Sequence, residues 1–275
     1  MIRDSYWLDR EYTPSAPLEG EHRVDVVISG GGITGITGAL FLAEGGARVA
    51  VLERREVASG ASGRNGGFLL AGTHEYYAEA VEELTVLYGA DGRRHARAAW
   101  TLALENHALM TGIMQRYGIS CDYYNHGSYI VAMSRPDRGC HPRPAERIAA
   151  SYRLLAEDGF DVELLDARAI RELLRSPIVA GALWNRFDGE MHPVKYVRGV
   201  AEVAKRRGAL IFEDTPIREI TRDRRGLLVC TPGGQIRADR ALLGMNAYTP
   251  QLDERYETRI TPNRGQVFTT EPVEE

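Results

Sequence analysis

Apolar and polar residues change their period along this chain in an ordered way. Residues 24–28 (VDVVI) form a short β-branched run that ends in glycines, the pattern of a buried parallel strand. Ile36, Leu40 and Ala43 then recur on one face, which predicts a helix over 33–44. Residues 48–53 (RVAVLE) return as a second apolar strand. Strand, glycine turn, helix and strand fit within about 30 residues, the size of a βαβ unit.

Further along, the pattern predicts helices near 75–88, 93–117, 145–157 and 194–207. In the second of these, Leu102, Leu109, Ile113 and Tyr117 form the expected stripe. Strands are predicted at 128–133, 162–165, 209–212, 217–221, 227–231, 240–245 and 266–270, and an exposed loop at 136–144. The glycine- and serine-rich stretch 59–72 resists regular structure. This alternation is α/β: a Rossmann-like βαβ domain with a central parallel sheet, interleaved with a strand-rich α+β domain. No internal repeat or low-complexity tract interrupts it.

Composition changes the picture little. Of 275 residues, 44% are hydrophobic and 26% charged, an ordinary globular balance. The net charge of -4 argues against a nucleic-acid surface. No window approaches the roughly 18 apolar residues of a membrane helix, and the polar start of the chain lacks a secretory signal pattern. Cys121, Cys140 and Cys230 are odd in number and far apart, so they read as reduced thiols of a cytoplasmic protein. His22, His74, His95, His107, His126, His141 and His192 show no metal-ligand spacing. No GxSxG is present either.

Candidate chemistry sits in the first glycine turn. Gly30, Gly32 and Gly35 satisfy GxGxxG after a strand and before a helix, and Glu53 answers at the end of the next strand. Gly30 permits the tight turn, Gly32 the close approach of a pyrophosphate, and Gly35 the packing of helix on strand. The helix start beyond them offers free N–H groups and a positive dipole end. An acid at position 53 accepts from a ribose hydroxyl and repels a 2′-phosphate, which disfavours NADP. The motif alone does not separate FAD from NAD. Residues 60–68 (GASGRNGGF) read either as a flexible loop or as a backbone nest for a planar polar ligand such as an isoalloxazine ring.

Taken together, SYWLD, VDVVISGGGITGITGALFLAEGGARVAVLE and GASGRNGG resemble the FAD-dependent glycine/D-amino-acid oxidase superfamily. The similarity is greatest to its bacterial branch of γ-glutamylputrescine oxidoreductases and related amine dehydrogenases. Three later segments are similar to the family in the same order: DGEMHPVKYVRGVAEVAKRRGALIFEDTPIREI, IRADRALLGMNAYTPQL and RGQVFTTEP. The resemblance implies FAD as cofactor, with its pyrophosphate on Ile33, Thr34 and the glycines, and its adenosine ribose on Glu53 and Arg54. It places Ser62, Arg64, Asn65, Gly66, Gly67 and Phe68 beside the isoalloxazine, and backbone near Ile217 at the adenine. Arg64 can stand near N1–C2=O of the flavin, serve the pyrophosphate, or be a surface arginine paired with an acid.

The implied domain plan is an arm at 1–22, an FAD-binding domain at 23–120 and 189–258, and a substrate domain at 121–188. Residues 259–275 begin a return to the substrate domain. The implied activity is oxidation of a small-molecule amine or amino acid by hydride transfer to flavin N5, with no side chain named as catalytic. Two alternatives stay open. One is a flavoprotein oxidising a hydroxy acid or an alkyl phosphate. The other is a truncated or split homologue needing a second chain for the family's C-terminal segment, and a homo-oligomer is a further option.

Overall fold

The computed structural model describes residues 5–8, 11–72, 76–133, 143–263, 265–267 and 269–271. Along the chain run β1 (Gly20–Ser29), α1 (Ile33–Glu44), β2 (Val49–Leu52), β3 (Phe68–Leu69), α2 (Tyr77–Tyr88), α3 (Gly92–Tyr117) and β4 (Ser128–Met133). Then come α4 (Pro144–Glu157), β5 (Val162–Asp166), α5 (Ala167–Leu174), β6 (Val179–Asn185), β7 (Gly189–Glu190) and α6 (Pro193–Arg206). Four strands close the series: β8 (Leu210–Phe212), β9 (Glu219–Asp223), β10 (Gly226–Cys230) and β11 (Gly234–Leu243).

Contacts divide these elements between two units. The first comprises Met1–Gly67, Met114–Cys121 and His192–Glu275. Its sheet has the order β8-β2-β1-β11-β10-β9; the first four strands pair in parallel, and β10 pairs antiparallel with both β11 and β9. All four residues of β2 are buried, as are Val24, Val27 and Ile28 of β1. Such strands, covered on both faces, read as continuous apolar runs, which is why they were visible in the sequence. Helix α1 buries Ile36, Ala39 and Leu40 and packs against α6, which buries Val194, Val197, Val200 and Ala204. A second cluster joins Leu18, Val24, Val27, Ala50, Leu52, Val229, Ile236 and Ala238.

Register places four strand ends at one level. Ser29 pairs with both Leu52 and Leu243, and Leu52 pairs with Phe212. The residues that follow these strands are Gly30, Glu53, Gly244 and Glu213. Chain direction therefore collects them at the carboxyl edge of the parallel strands, where open α/β sheets bind ligands.

The second unit comprises Phe68–Ile113 and Asp122–Met191. It holds the antiparallel sheet β4-β6-β5 and the short pair β3-β7. Its core gathers Ala71, Tyr77, Ala96, Trp100, Ala132, Ile148, Leu155 and Leu183.

Several expectations need correction. The arm at 1–22 is not separate, because Leu18 is a core residue and β1 already begins at Gly20. The division into ranges also differs. Residues 68–113, expected within the 23–120 portion, pack with the second unit, while 259–275, expected to return there, are counted with the first. No strand forms at the described residues of 266–270, and the loop at 136–144 lies mostly outside the described residues.

On α3 the expected stripe holds only at its end: Ile113 is buried and Tyr117 half-buried, but Leu102 and Leu109 are 65% and 46% exposed, and Ala96, Trp100, Met110 and Met114 are buried instead. Four elements were not foreseen: the two-residue strands β3 and β7, helix α5 and strand β6. Helix α5 is short and its signal is one capping acid, Asp166, which accepts from the Ala169 N–H at 2.8 Å. Strand β6 carries small residues that blur its period. Strand β11 starts at Gly234, before the expected 240, because Arg237, Asp239 and Arg240 break its apolar run.

Candidate dinucleotide site

The glycine turn ahead of α1 packs main chain directly against main chain. Gly30 has φ +102°, a backbone conformation that favours glycine, and donates its N–H to the Leu52 carbonyl at 2.9 Å. A methyl group on Gly30 would stand 2.8 Å from the Gly244 carbonyl oxygen. On Gly35 it would stand 2.0 Å from the Gly30 oxygen. The Gly244 N–H in turn donates to Ser29 at 2.8 Å, so β1, β11 and α1 meet with no room for side chains. The result is a cradle of the kind a diphosphate requires.

The helix N-cap, Gly32, makes no side-chain cap. Capping comes instead from another loop: Ser62 Oγ accepts the Ile33 N–H at 2.9 Å. Thr34 is exposed. Beside them the Gly31 N–H donates to Glu53 Oε2 at 2.7 Å, while Oε1 accepts the Arg55 N–H at 3.0 Å. Two N–H groups of the turn are thus engaged by side chains of the site itself. Each carboxylate oxygen keeps a lone pair for a further donor. Arg54 lies over the Tyr248 ring, 4.4 Å from its centroid, and its Nη1 is 3.5 Å from Gln251 Oε1.

The loop 60–67 is ordered by its own side chains. Residues Ala61–Gly63 make one 3-10 turn. Asn65 Nδ2 donates to the carbonyls of Ala61 and Ser62, both at 3.0 Å, and Asn65 Oδ1 accepts the Gly67 N–H at 2.8 Å. Its amide is therefore spent on shaping the loop. Arg64 Nε donates to the Ser59 carbonyl at 3.0 Å, and no ion pair to an acid is among its contacts in the described residues. Arg64 is thus an exposed arginine held by a carbonyl and not by an acid among the described residues. Gly66 and Gly67 close the loop within the first unit.

Phe68 opens β3 of the second unit, where it pairs with Glu190 and is 65% exposed. Ile217 is half-buried against the Leu18 cluster. The structure thus brings together Gly30, Gly32, Ile33, Gly35, Glu53 and Ser62 by direct contact, and sets Arg54, Arg64, Asn65, Gly66 and Gly67 in the flanking segments.

Sequence reasoning passed over Gly244, Tyr248 and Glu213. A signal existed for two of them. Gly244 and Glu213 each follow an apolar run, as Gly30 and Glu53 do, but only strand pairing makes the four equivalent. Among the histidines, His74 and His141 lie outside the described residues, as does Cys140. Cys121 is buried and Cys230 half-buried. No helix of the described residues is long and apolar enough to cross a membrane.

Comparison with known proteins bears on this geometry. The profile of the DAO family, described as FAD dependent oxidoreductase, matches residues 25–275. The chain is 31% identical over 266 residues to gamma-glutamylputrescine oxidoreductase of Escherichia coli (strain K12), covering 96% of this chain and 59% of that protein. It is 25% identical over 241 residues to glycine oxidase of Geobacillus kaustophilus (strain HTA426), covering 85% of this chain and 57% of that one. The crystal structure of glycine oxidase from Geobacillus kaustophilus superposes with a TM-score of 0.70 at 24% identity, over 85% of this chain and 58% of its own. The chain thus spans less than two thirds of the length of these relatives.

Proposed function

Because the chain belongs to the DAO family of FAD-dependent oxidoreductases, we propose that it holds FAD along its four parallel strand ends and oxidises an amine or an amino acid. One observation carries the cofactor reading: a main-chain cradle at Gly30, Gly35 and Gly244 that a Cβ would fill, with the Glu53 carboxylate directly beside it. The bound flavin supplies, at N5, the acceptor for a hydride from the carbon bearing the nitrogen.

The chain's own residues bind and orient. Gly30, Gly32, Ile33, Thr34 and Gly35 receive the pyrophosphate at the positive end of α1. The Ser62 hydroxyl accepts from Ile33 and can turn its own proton toward a phosphate oxygen. Glu53 takes the ribose hydroxyls, with Arg54 alongside and the backbone near Ile217 toward the adenine. In the loop, Asn65 sets the shape, Gly66 and Gly67 bring main chain close, and Arg64 offers its one positive charge to the electron-rich edge of the ring. The substrate class rests on the relatives' names, which specify gamma-glutamylputrescine and glycine, both amines. We place the protein in the cytoplasm, a reading supported by three widely spaced cysteines, an odd number without a CxxC.

The test is optical. Purified chain mixed with FAD should acquire a protein-bound flavin spectrum, and a panel of amines and amino acids under anaerobic conditions should bleach it. Bleaching by hydroxy acids or alkyl phosphates alone would overturn the substrate class. A chain that leaves FAD free in solution would overturn the cofactor reading.

A further inference from the structure

Glu213 is fully buried, at 0% exposure, in the first residue after β8. Burying a carboxylate is costly unless donors replace its water, and four contacts do so here. Tyr12 Oη donates to both oxygens, at 2.9 and 2.8 Å, and the N–H groups of Ser15 and Val57 donate at 2.6 Å each. Two of these donors belong to the segment before β1, and one to the segment that leaves Glu53 for the loop 60–67. Burial and the neighbouring carboxylate both push the Tyr12 hydroxyl above its ordinary range, so it stays a phenol and a donor. Over its ring lies the Arg198 guanidinium, 3.4 Å from the centroid, which also pairs with Glu56 at 3.1 Å.

The segment around Glu53 is bound to the same edge throughout. Glu53 N–H donates to Phe212, Thr215 N–H to Glu53, Asp214 N–H to Arg55, and Ala58 N–H to Gly31, at 2.8–3.0 Å. Ala58 and Asp214 both sit at positive φ, +69° and +46°, conformations that a side chain keeps only when its surroundings impose them. Nearer the start, Trp7 Nε1 donates to the Asn65 carbonyl at 2.7 Å. The segment before β1 therefore touches both the Glu53 side of the site and the loop.

We infer that Glu213 is a positioning residue of the dinucleotide site: by tying Tyr12 and Ser15 to Val57, it makes the segment before β1 a clamp that holds Glu53 against the Gly31 N–H. This rests on the FAD reading above. The acid acts through the main chain at Val57 and through Tyr12 and Ser15.

The probe is ADP, which carries the adenine, ribose and diphosphate, titrated by calorimetry into wild type, Glu213→Gln and Tyr12→Phe. Thermal melts of the ligand-free proteins define a temperature at which all are folded. Both substitutions should weaken ADP by about fivefold or more, the scale of one hydrogen bond lost from the clamp. In a Glu53→Ala background they should add nothing, because the effect passes through that carboxylate. Should Glu213→Gln fail to fold, Tyr12→Phe carries the test alone. Affinity within twofold of wild type in a folded variant, or losses that add fully to Glu53→Ala, would overturn the inference while leaving the FAD reading intact. A wild-type chain that binds neither ADP nor FAD would remove both.

Discussion

Gly35 marks how closely main chain can approach main chain in this site. A methyl group there would overlap the Gly30 carbonyl, so Gly35→Ala must push α1 away from β1. Overpacking of this kind costs about 1–3 kcal/mol, and it would move the helix end that faces the diphosphate. Gly60, whose added methyl would meet nothing within 4 Å, is the matched control. Urea unfolding should show Gly35→Ala destabilised and Gly60→Ala near wild type, with FAD binding lost only in the first.

A second residue-scale effect concerns Asp188 in the other unit. Burial raises its pKa, against the opposing pull of donors from Ser128, Ala71 and Asn185 and the charge of His107. Its carboxylate accepts from the Ala71 N–H at 2.6 Å and from Asn185 Nδ2 at 3.0 Å. Above the ordinary aspartate pKa of about 3.9 the unfolded chain has released this proton while the folded chain still holds it. Stability should therefore fall as pH rises from there through the raised native value. Denaturant midpoints measured across that window should decline less steeply in Asp188→Asn, which has no proton to lose.

At the scale of elements, what decides behaviour is which stripe a helix buries. Helix α3 spans 26 residues and is apolar in more than one direction. Its buried side is built on Trp100, which meets Tyr77 edge-on at 5.5 Å and Phe160 at 5.9 Å between ring centroids. Gly72 packs against the same indole so closely that a methyl there would fall 2.3 Å from it. Trp100→Ala should open a cavity costing about 3–5 kcal/mol. Leu102→Ala, on the exposed side, should cost within about 0.5 kcal/mol. Chemical denaturation of the two variants checks the assignment of faces directly.

Both units of the whole molecule are assembled from separated stretches of chain. The first needs residues up to Gly67 together with Met114–Cys121 and everything from His192. Strand β1 pairs with β2 on one side and with β11, some 200 residues on, along its other edge. A fragment of residues 1–67 contains the complete glycine motif and Glu53 but lacks β8, β11 and α6. It should show no cooperative thermal transition by circular dichroism and no calorimetric heat with ADP, since its strand edges and the apolar face of α1 stay uncovered.

Local order was legible in the chain itself. The βαβ run, the position of α1, the glycine turn and an acid at position 53 after the second strand followed from side-chain period and short-range spacing, while the FAD-binding family followed from the resemblance of whole segments. Neighbours in sequence determine these through backbone sterics and helix-end chemistry. Tertiary pairing decided the rest: that Gly244 and Glu213 share a level with Gly30 and Glu53, that Ser62 caps Ile33, that Asn65 serves its own loop, and that 68–113 join the second unit. Each depends on which distant strand or loop lies alongside. A strand carries no mark of its neighbour, because main-chain hydrogen bonds are the same for every residue.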